Sequence, residues 1–242
     1  MALDTSTSWA SVALYDGKAV LGEETWHAQR RHGDELFPTI ERLLANARLS
    51  LKDVDRVAVA TGPGSFTGLR VAIAAAQGIA RGAGASLVGV STLDVLAYPH
   101  APSKQRTCAI LPAGRTEFYA AIYQERNRKW LRRSPYIIST LADLCRQIGT
   151  HTLFVGEIGD EAEQLLTDLL GPKALFASPA SRMRRAGYLA ELGWRALESA
   201  PQARLSEVEP IYVKQPSIHG SFDQPFAPVP TDDVALGLPR RD

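Results

Sequence analysis

The stretch TGPGSFTGLR at Thr61–Arg70 decides how the first half of the chain folds. It follows an apolar run at Val54–Ala60 and leads into an alanine-rich segment that reaches Arg81. Glycine allows sharp backbone turns, and the hydroxyl of Ser65 or Thr67 can cap a following helix. We therefore predict a buried strand, a glycine-rich turn and a helix over 67–81, in that order.

The same stretch lacks the residues of known phosphate-binding and nucleophile loops. A Walker loop requires a lysine, which is absent here, and a dinucleotide loop requires glycine where the chain has Thr67. A serine-hydrolase elbow requires glycine two residues before and after the serine, yet Pro63 and Thr67 flank Ser65. Two interpretations stay open: a capped turn between strand and helix, or backbone amides that bind an anion.

Residue patterns on either side of this stretch predict an α/β unit. Asp16-Gly17 separates the strand-like runs Ser8–Tyr15 and Lys18–Trp26, which is typical of a hairpin with a two-residue turn. Apolar residues spaced three and four apart predict a helix over 33–48, and Ser86–Val90 reads as another strand. A mixed sheet with helical crossovers is the expected result.

A second unit is expected after a turn-rich connector at residues 99–104. Strands are predicted at Thr107–Leu111, Glu117–Gln124 and Thr152–Val155, and helices at Thr140–Ile148, Asp160–Leu170 and Met183–Ser199. Because strands again lead into alternating helices and strands, we interpret this unit as a weaker copy of the first.

These patterns set the predicted domain boundaries. We expect an N-terminal unit over 1–100 and a C-terminal unit over 101–216. Residues 217–242 are proline-rich and lack hydrophobic periodicity, so this tail is predicted to be disordered.

The composition is that of an ordinary globular protein. Hydrophobic residues make up 45% and charged residues 22% of 242 residues. No apolar run approaches the roughly 20 residues that span a bilayer, so a cytoplasmic protein is expected. Cys108 and Cys145 lack the spacing of a metal or redox motif and are predicted to be reduced thiols.

A net charge of +1 gives no whole-molecule reason to expect nucleic-acid binding, but one segment is strongly basic. Its cations are Arg126, Arg128, Lys129, Arg132 and Arg133, with Trp130 among them. Either these cations contact RNA phosphates while Trp130 stacks on a base, or they form the solvated face of a hairpin.

Two further clusters are candidate sites. Asp4-Thr5-Ser6-Thr7 could hold a metal-bound phosphate or form hydrogen-bonded turns. No two histidines are three or four residues apart, so no helical metal site is predicted. The helix after the glycine-rich stretch is apolar nearly all round, with small residues along one side: Val71, Ala75, Gly78 and Gly82. Either the second half of the chain or another polypeptide is expected to cover it.

Taken together, these residues resemble the TsaB (YeaZ) family over roughly residues 2–215. The glycine-rich stretch is the specific motif, and the weaker ones follow in the family's order. The matching segments are Ala2–Thr7, His32–Ile40, Gly62–Arg70, Gly89–Leu93, Glu117–Tyr119 and Glu209–Val213.

The resemblance implies an α/β fold of the actin-like ATPase (ribonuclease H-like) class, with two related lobes. It implies a non-catalytic subunit that binds TsaD, which transfers a threonylcarbamoyl group to N6 of the adenosine beside the anticodon in tRNAs reading ANN codons. TsaE is a second implied partner, tRNA is reached indirectly through the complex, and a homodimer is possible when the chain is alone. No membrane partner is implied.

The resemblance also implies site residues. Asp4, Thr5, Ser6 and Thr7 correspond to a vestigial nucleotide-binding loop, with no catalytic or metal-binding residue. No cofactor is expected, although ATP or ADP could bind at the interface of the complex. Pro112 stands where the family usually has an aspartate, which disfavours a metal–nucleotide site further. The implied partner interface contains His32, Leu36, Ile40, Gly64, Phe66, Arg70, Val71, Ala75 and Gly78.

Two alternative functions compete with this one. A nucleotide-hydrolysing enzyme of the actin-like superfamily would use Asp4 and the Thr5–Thr7 loop. A peptidase is the third candidate, although the sequence offers no recognisable arrangement of nucleophile, base and orienting group.

Overall fold

Two α/β units make up the part of the chain that the computed structural model describes. That part comprises residues 1–28, 32–101, 103, 105–126, 129–199, 208–211, 213 and 235–236. The strands are β1 (Ala2–Asp4), β2 (Trp9–Tyr15), β3 (Val20–His27), β4 (Arg56–Gly62), β5 (Ser86–Ser91), β6 (Arg106–Pro112), β7 (Glu117–Arg126), β8 (Lys129–Arg132), β9 (Ile137–Thr140), β10 (Thr152–Gly156), β11 (Ala174–Phe176) and β12 (Ala235–Leu236). The helices are α1 (His32–Asn46), α2 (Phe66–Ala83), α3 (Thr92–Ala97), α4 (Leu141–Arg146), α5 (Asp160–Leu170) and α6 (Ala186–Ser199). Apart from β12, the predicted disordered tail at 217–242 lies outside the described residues.

The first unit is built on a five-stranded mixed sheet in the order β3-β2-β1-β4-β5. β1, β2 and β3 are antiparallel, whereas β4 and β5 run parallel to β1. The predicted hairpin is present, but its loop covers four residues, 16–19, rather than two. Asp16 makes the longer loop possible, because its Oδ1 accepts hydrogen bonds from the backbone N–H groups of Lys18 and Ala19.

Helix α2 begins and ends where its capping residues are. The Ser65 hydroxyl oxygen accepts a hydrogen bond from the Gly68 N–H at 3.3 Å, as an N-cap does. At the other end, Gly84 has φ +71° and its N–H donates to the Ala80 carbonyl, which is a left-handed C-cap. The helix predicted over 67–81 is confirmed, extended by one residue at its start and two at its end.

Most of the apolar surface of α2 is buried within the first unit. Ala72, Ala76, Ile79 and Ala80 are almost fully buried in a core shared with β1, β4 and α1. Val208, which is far away in sequence, is part of the same core. The sequence left open whether the second half of the chain or another polypeptide covers the apolar surface of α2. Most of that surface is covered within this chain.

The division into units differs from the predicted boundaries. One unit contains residues 1–95 and 184–212, and the other contains 96–183 and 213–242. The chain returns to the first unit because α6 packs on its sheet, where Gly193 lies so close to β4 that an added Cβ would be 2.4 Å from the Cβ of Ala58. The helix predicted over 183–199 therefore exists, but it belongs to the first unit.

The second unit repeats the strand arrangement of the first. Its five principal strands have the order β8-β7-β6-β10-β11, with β12 at the β8 edge and β9 paired to β7. β6, β7 and β8 are antiparallel, and β10 and β11 run parallel to β6, as in the first sheet. The prediction of two related α/β units, each a mixed sheet with helices, is confirmed.

Both cysteines are free thiols buried in the core of the second unit. Burial raises the pKa of the Cys145 thiol to about 11 and that of Cys108 still further. A raised pKa keeps both sulfurs protonated near neutral pH, which is typical of thiols that pack in an apolar core.

None of the helices that the structure describes is long and apolar enough to span a membrane.

Candidate functional site

The Asp4–Thr7 loop surrounds a buried carboxylate that is already paired. Asp4 is 2% exposed, and its Oδ2 accepts a hydrogen bond from Nε of Arg184 at 2.9 Å. Its Oδ1 accepts from the Ser6 N–H at 2.8 Å and from the Ser6 hydroxyl at 2.6 Å. Three of the roughly four acceptor positions of the carboxylate are thus occupied by groups of the same unit.

Arg184 is the residue that sequence reasoning missed. It lies just before α6, is 4% exposed, and forms a buried ion pair with Asp4. Its Nη2 also donates to the Thr7 hydroxyl oxygen at 2.7 Å and to the Trp9 carbonyl at 3.4 Å. The Arg184 guanidinium therefore hydrogen-bonds to the first and last residues of the predicted nucleotide-binding loop, Asp4 and Thr7. These bonds link the loop to the start of α6.

The glycine-rich stretch lets this loop approach the start of α2. A Cβ on Gly64 would lie 2.2 Å from the Ser6 carbonyl oxygen, and one on Gly68 would lie 2.0 Å from that of Thr5. Ser65 N–H donates to the Ser6 carbonyl at 2.6 Å, and the Thr5 hydroxyl donates to the Gly68 carbonyl at 2.6 Å. The two glycines leave room for neighbouring backbone, which favours the capped turn over the anion site.

Taken as a whole, the loop does not fit a metal-bound phosphate. Thr5 and Ser6 are fully buried, and both hydroxyls donate to protein oxygens. Among the described residues, no group of three or more His, Cys, Asp or Glu side chains is arranged to hold a metal. A metal–phosphate group at Asp4 would compete with the Arg184 guanidinium for the carboxylate and weaken a buried ion pair.

The predicted interface residues separate into a buried and an exposed set. Leu36, Ile40 and Ala75 are buried in the core of the first unit and have almost no surface left for a partner. Val71 is half-buried against the same core, and Gly64 is half-buried against the Asp4–Thr7 loop. The prediction is therefore corrected at the three buried positions, because their side chains hold the unit itself together.

The exposed set defines a different line on α2. Phe66, Arg70 and Gly78 are exposed, and so is Ala74, which was not among the predicted interface residues. These four residues, each four positions apart, are called the α2 stripe. Its aromatic end is 52% exposed, with the Arg70 guanidinium 3.9 Å from the centre of the Phe66 ring. The side chain of His32 lies outside the described part of the chain.

A second exposed aromatic residue lies on α1. Phe37 is 51% exposed, whereas the neighbouring Leu36 is fully buried. Aromatic residues are enriched at protein interfaces relative to the rest of the surface. The two helices that the resemblance implicates therefore each present an exposed phenylalanine.

Comparisons with known proteins agree with this architecture. The family model for TsaD, tRNA N6-adenosine threonylcarbamoyltransferase, matches residues 25–146. The tRNA threonylcarbamoyladenosine biosynthesis protein TsaB of Bacillus subtilis is 28% identical over 80% of this chain and 86% of its own length. TsaB of Buchnera aphidicola subsp. Baizongia pistaciae is 30% identical over 61% of this chain and 68% of its own length.

A solved structure gives the same result. YeaZ from Pseudomonas aeruginosa has 26% sequence identity and a TM-score of 0.69, and the likeness covers 88% of this chain and 98% of that one. The predicted fold of two related α/β units agrees with this likeness. The TsaD family model matches half of this chain, and a TsaB protein is 30% identical to it over 68% of that protein's length. The chain therefore belongs to the TsaB (YeaZ) family.

Proposed function

We propose that this chain is a non-catalytic subunit that binds a TsaD-like protein during tRNA threonylcarbamoyladenosine biosynthesis in the cytoplasm. Membership of the TsaB family supports the biosynthetic role, since its relatives carry that name. The observation that carries the finer proposal is the combination of an occupied Asp4 carboxylate and an exposed α2 stripe.

The state of the Asp4–Thr7 loop supports the non-catalytic part. A nucleotide-hydrolysing enzyme needs a free carboxylate or a metal to organise the phosphates. Here the Asp4 carboxylate is neutralised by Arg184 and saturated by Ser6. We infer that the chain needs no cofactor of its own, and that any ATP or ADP of the complex binds outside this loop.

A peptidase activity finds no support at the serine of the glycine-rich stretch. One Pseudomonas aeruginosa structure is described as similar to peptidase YEAZ. In this chain, however, the Ser65 hydroxyl oxygen caps α2. Among the described side chains, no histidine hydrogen-bonds to a serine hydroxyl or a thiol, so the base that would activate a nucleophile is missing.

The α2 stripe supports the partner-binding part. Phe66 and Arg70 belong to the residue types enriched at interface centres, and Ala74 and Gly78 allow a partner helix to approach closely. The TsaD family model covers both α1 and α2 of this chain, so a TsaD-like partner has the same pair of helices to offer. We propose pairing of these helices, with a homodimer as the arrangement when the partner is absent and TsaE as an additional partner of the pair.

Substitution of the stripe by a charge tests the proposal. A glutamate at Ala74 or Gly78 is accommodated at the surface of the free unit, since both positions are exposed and a Cβ at Gly78 has nothing within 4 Å. In the complex, the same carboxylate is buried within the proposed helix pairing. We expect Ala74→Glu and Gly78→Glu to weaken binding of TsaD at least about a hundredfold, measured by titration calorimetry.

Ala196→Glu is the matched control, because Ala196 is an exposed alanine within α6 of the same unit. It should bind TsaD like the unmodified chain. Ala74→Glu and Ala196→Glu should keep their melting temperature, whereas Gly78→Glu should raise it slightly, because glutamate favours the helix more than glycine does. In a reconstituted system, the rate of threonylcarbamoyladenosine formation should fall for Ala74→Glu and Gly78→Glu but not for Ala196→Glu. Unchanged TsaD affinity for both stripe variants would refute this surface as the interface.

A nucleotide titration discriminates between the accessory subunit and the nucleotide-hydrolysing enzyme. We expect neither binding heat nor phosphate release when MgATP or MgADP is added to the purified chain. The physical reason is that a metal-bound phosphate would compete with the Arg184 guanidinium for the Asp4 carboxylate. Saturable turnover that disappears in Asp4→Ala would establish the alternative function instead.

A further inference from the structure

We propose that the β7–β8 hairpin of the second unit contacts the phosphate backbone of RNA through Arg126, Lys129 and Arg133. The choice of RNA as the polyanion rests on the function proposed above, because tRNA is the substrate of that biosynthesis. The exposed positive charges of the hairpin do not depend on that proposed function.

The tip of the hairpin carries two like charges directly opposite each other. The strand register pairs Arg126 of β7 with Lys129 of β8, and both side chains are exposed. Like charges at directly opposed positions destabilise a strand pair. A polyanion bound across the tip would convert this repulsion into a favourable interaction with both cations. Asn127 and Arg128, which join the two strands, lie outside the described residues.

A third cation extends the surface along the hairpin. Arg133 is exposed, and its N–H donates to the Ile122 carbonyl, so strand pairing continues past the end of β8. Lys129 and Arg133 are four residues apart, or about 13 Å along an extended strand. This separation allows the two cations to meet different phosphates of one backbone.

None of these three cations forms a salt bridge within the part of the chain that the structure describes. The salt bridges among the described residues involve other arginines, and Arg126, Lys129 and Arg133 take part in none of them. Arg132 differs, because its guanidinium lies 3.8 Å from the centre of the Tyr136 ring. We therefore leave Arg132 out of the contact set.

The structure corrects one part of the sequence-based hypothesis. Trp130 is fully buried and stacks on Tyr123 with 6.4 Å between ring centres, so its indole is not available to stack on a base. Contacts are consequently made to phosphates and not to bases, which predicts binding without sequence preference. A membrane surface is a poorer partner, because the described residues of the hairpin expose no large aliphatic or phenylalanine side chain.

The test uses the full-length chain, alone and in complex with TsaD, and a fluorescein-labelled tRNA transcript that reads an ANN codon. The triple variant Arg126→Gln/Lys129→Gln/Arg133→Gln removes the three proposed contacts. The matched control Arg115→Gln/Arg146→Gln/Lys173→Gln removes three exposed positive charges elsewhere in the same unit. Fluorescence anisotropy is measured over a series of salt concentrations.

We expect the hairpin variant to bind tRNA at least tenfold more weakly, with the control unchanged. Each lost phosphate contact lowers the slope of log affinity against log salt by about 0.7 to 0.9, so the slope should fall by about two. Equal losses in the two variants would show a general charge effect, and no loss would show a solvated hairpin. Either outcome overturns the proposal.

A kinetic readout separates this inference from the proposed function. In reconstituted threonylcarbamoyladenosine formation, the hairpin variant should raise KM for tRNA while kcat and the affinity for TsaD stay unchanged. If the unmodified chain does not support the reaction, the proposed function fails, but the anisotropy experiment still decides whether the hairpin contacts RNA.

Discussion

Replacing Arg184 with methionine should lower the free energy of unfolding by about 3–5 kcal/mol. Methionine replaces the unbranched stem of the arginine side chain but removes the guanidinium group and its charge. The Asp4 carboxylate, 2% exposed, then stays buried and loses its only ion-pair partner among the described residues. The bond from Arg184 to the Thr7 hydroxyl is lost as well, which releases the loop from the start of α6.

The neighbouring arginine provides the control. Arg185→Met removes the same chemical group one residue further along, but the Arg185 side chain is 51% exposed. Its partner Glu23 is 11% exposed and keeps a hydrogen bond from the Gly187 N–H in this variant, so Arg185→Met should cost less than Arg184→Met. Urea denaturation of both variants measures the difference. Similar losses in Arg184→Met and Arg185→Met would mean that the Asp4 pair is not the anchor of the loop.

A double variant distinguishes lost charge pairing from lost packing. Asp4→Asn/Arg184→Met removes both charges, so no unpaired ion remains in the core. We expect it to be more stable than Arg184→Met, because a buried neutral amide costs less than a buried unpaired carboxylate. No recovery would assign the loss to packing around the arginine side chain.

Alanine substitutions at two glycines of α2 should change stability in opposite directions. A methyl group at Gly68 would lie 2.0 Å from the Thr5 carbonyl oxygen, which is backbone and cannot move aside as a flexible side chain does. Gly68→Ala should therefore cost about 3 kcal/mol, at the upper end of overpacking effects. The start of α2 and the Asp4–Thr7 loop would be forced apart.

Gly78→Ala is the internal control in the same helix. A Cβ there meets nothing within 4 Å, so only helix propensity changes. Alanine should stabilise the free chain by about 1 kcal/mol relative to glycine. Thermal unfolding of the two variants should give melting temperatures on opposite sides of the unmodified chain, and a stabilising Gly68→Ala would contradict the close packing of the loop.

Local patterns were sufficient to predict most helices and strands. The alanine-rich segment after Ser65 became α2, and Asp16-Gly17 became the hairpin loop, because capping and turn residues act on their immediate neighbours. The glycine-rich stretch indicated the family for a related reason. Its Gly64 and Gly68 are the positions where other backbone approaches too closely for any side chain.

The individual site residues were harder to predict. The resemblance implied that Leu36, Ile40 and Ala75 belong to a partner interface, although they fill the core, because a match of motifs does not say what covers each side chain. Trp130 was a candidate for base stacking because cations flank it in the sequence, and the structure buries it beside Tyr123.

By itself, the sequence determined the local elements, the two-unit α/β class and the family, because each depends on residues close together along the chain. Only the tertiary structure decided that α6 returns to the first sheet and that Arg184 pairs with Asp4, 180 residues away. A buried carboxylate requires a cation. With 27 lysines and arginines in the chain, only the three-dimensional arrangement identifies which one is within reach.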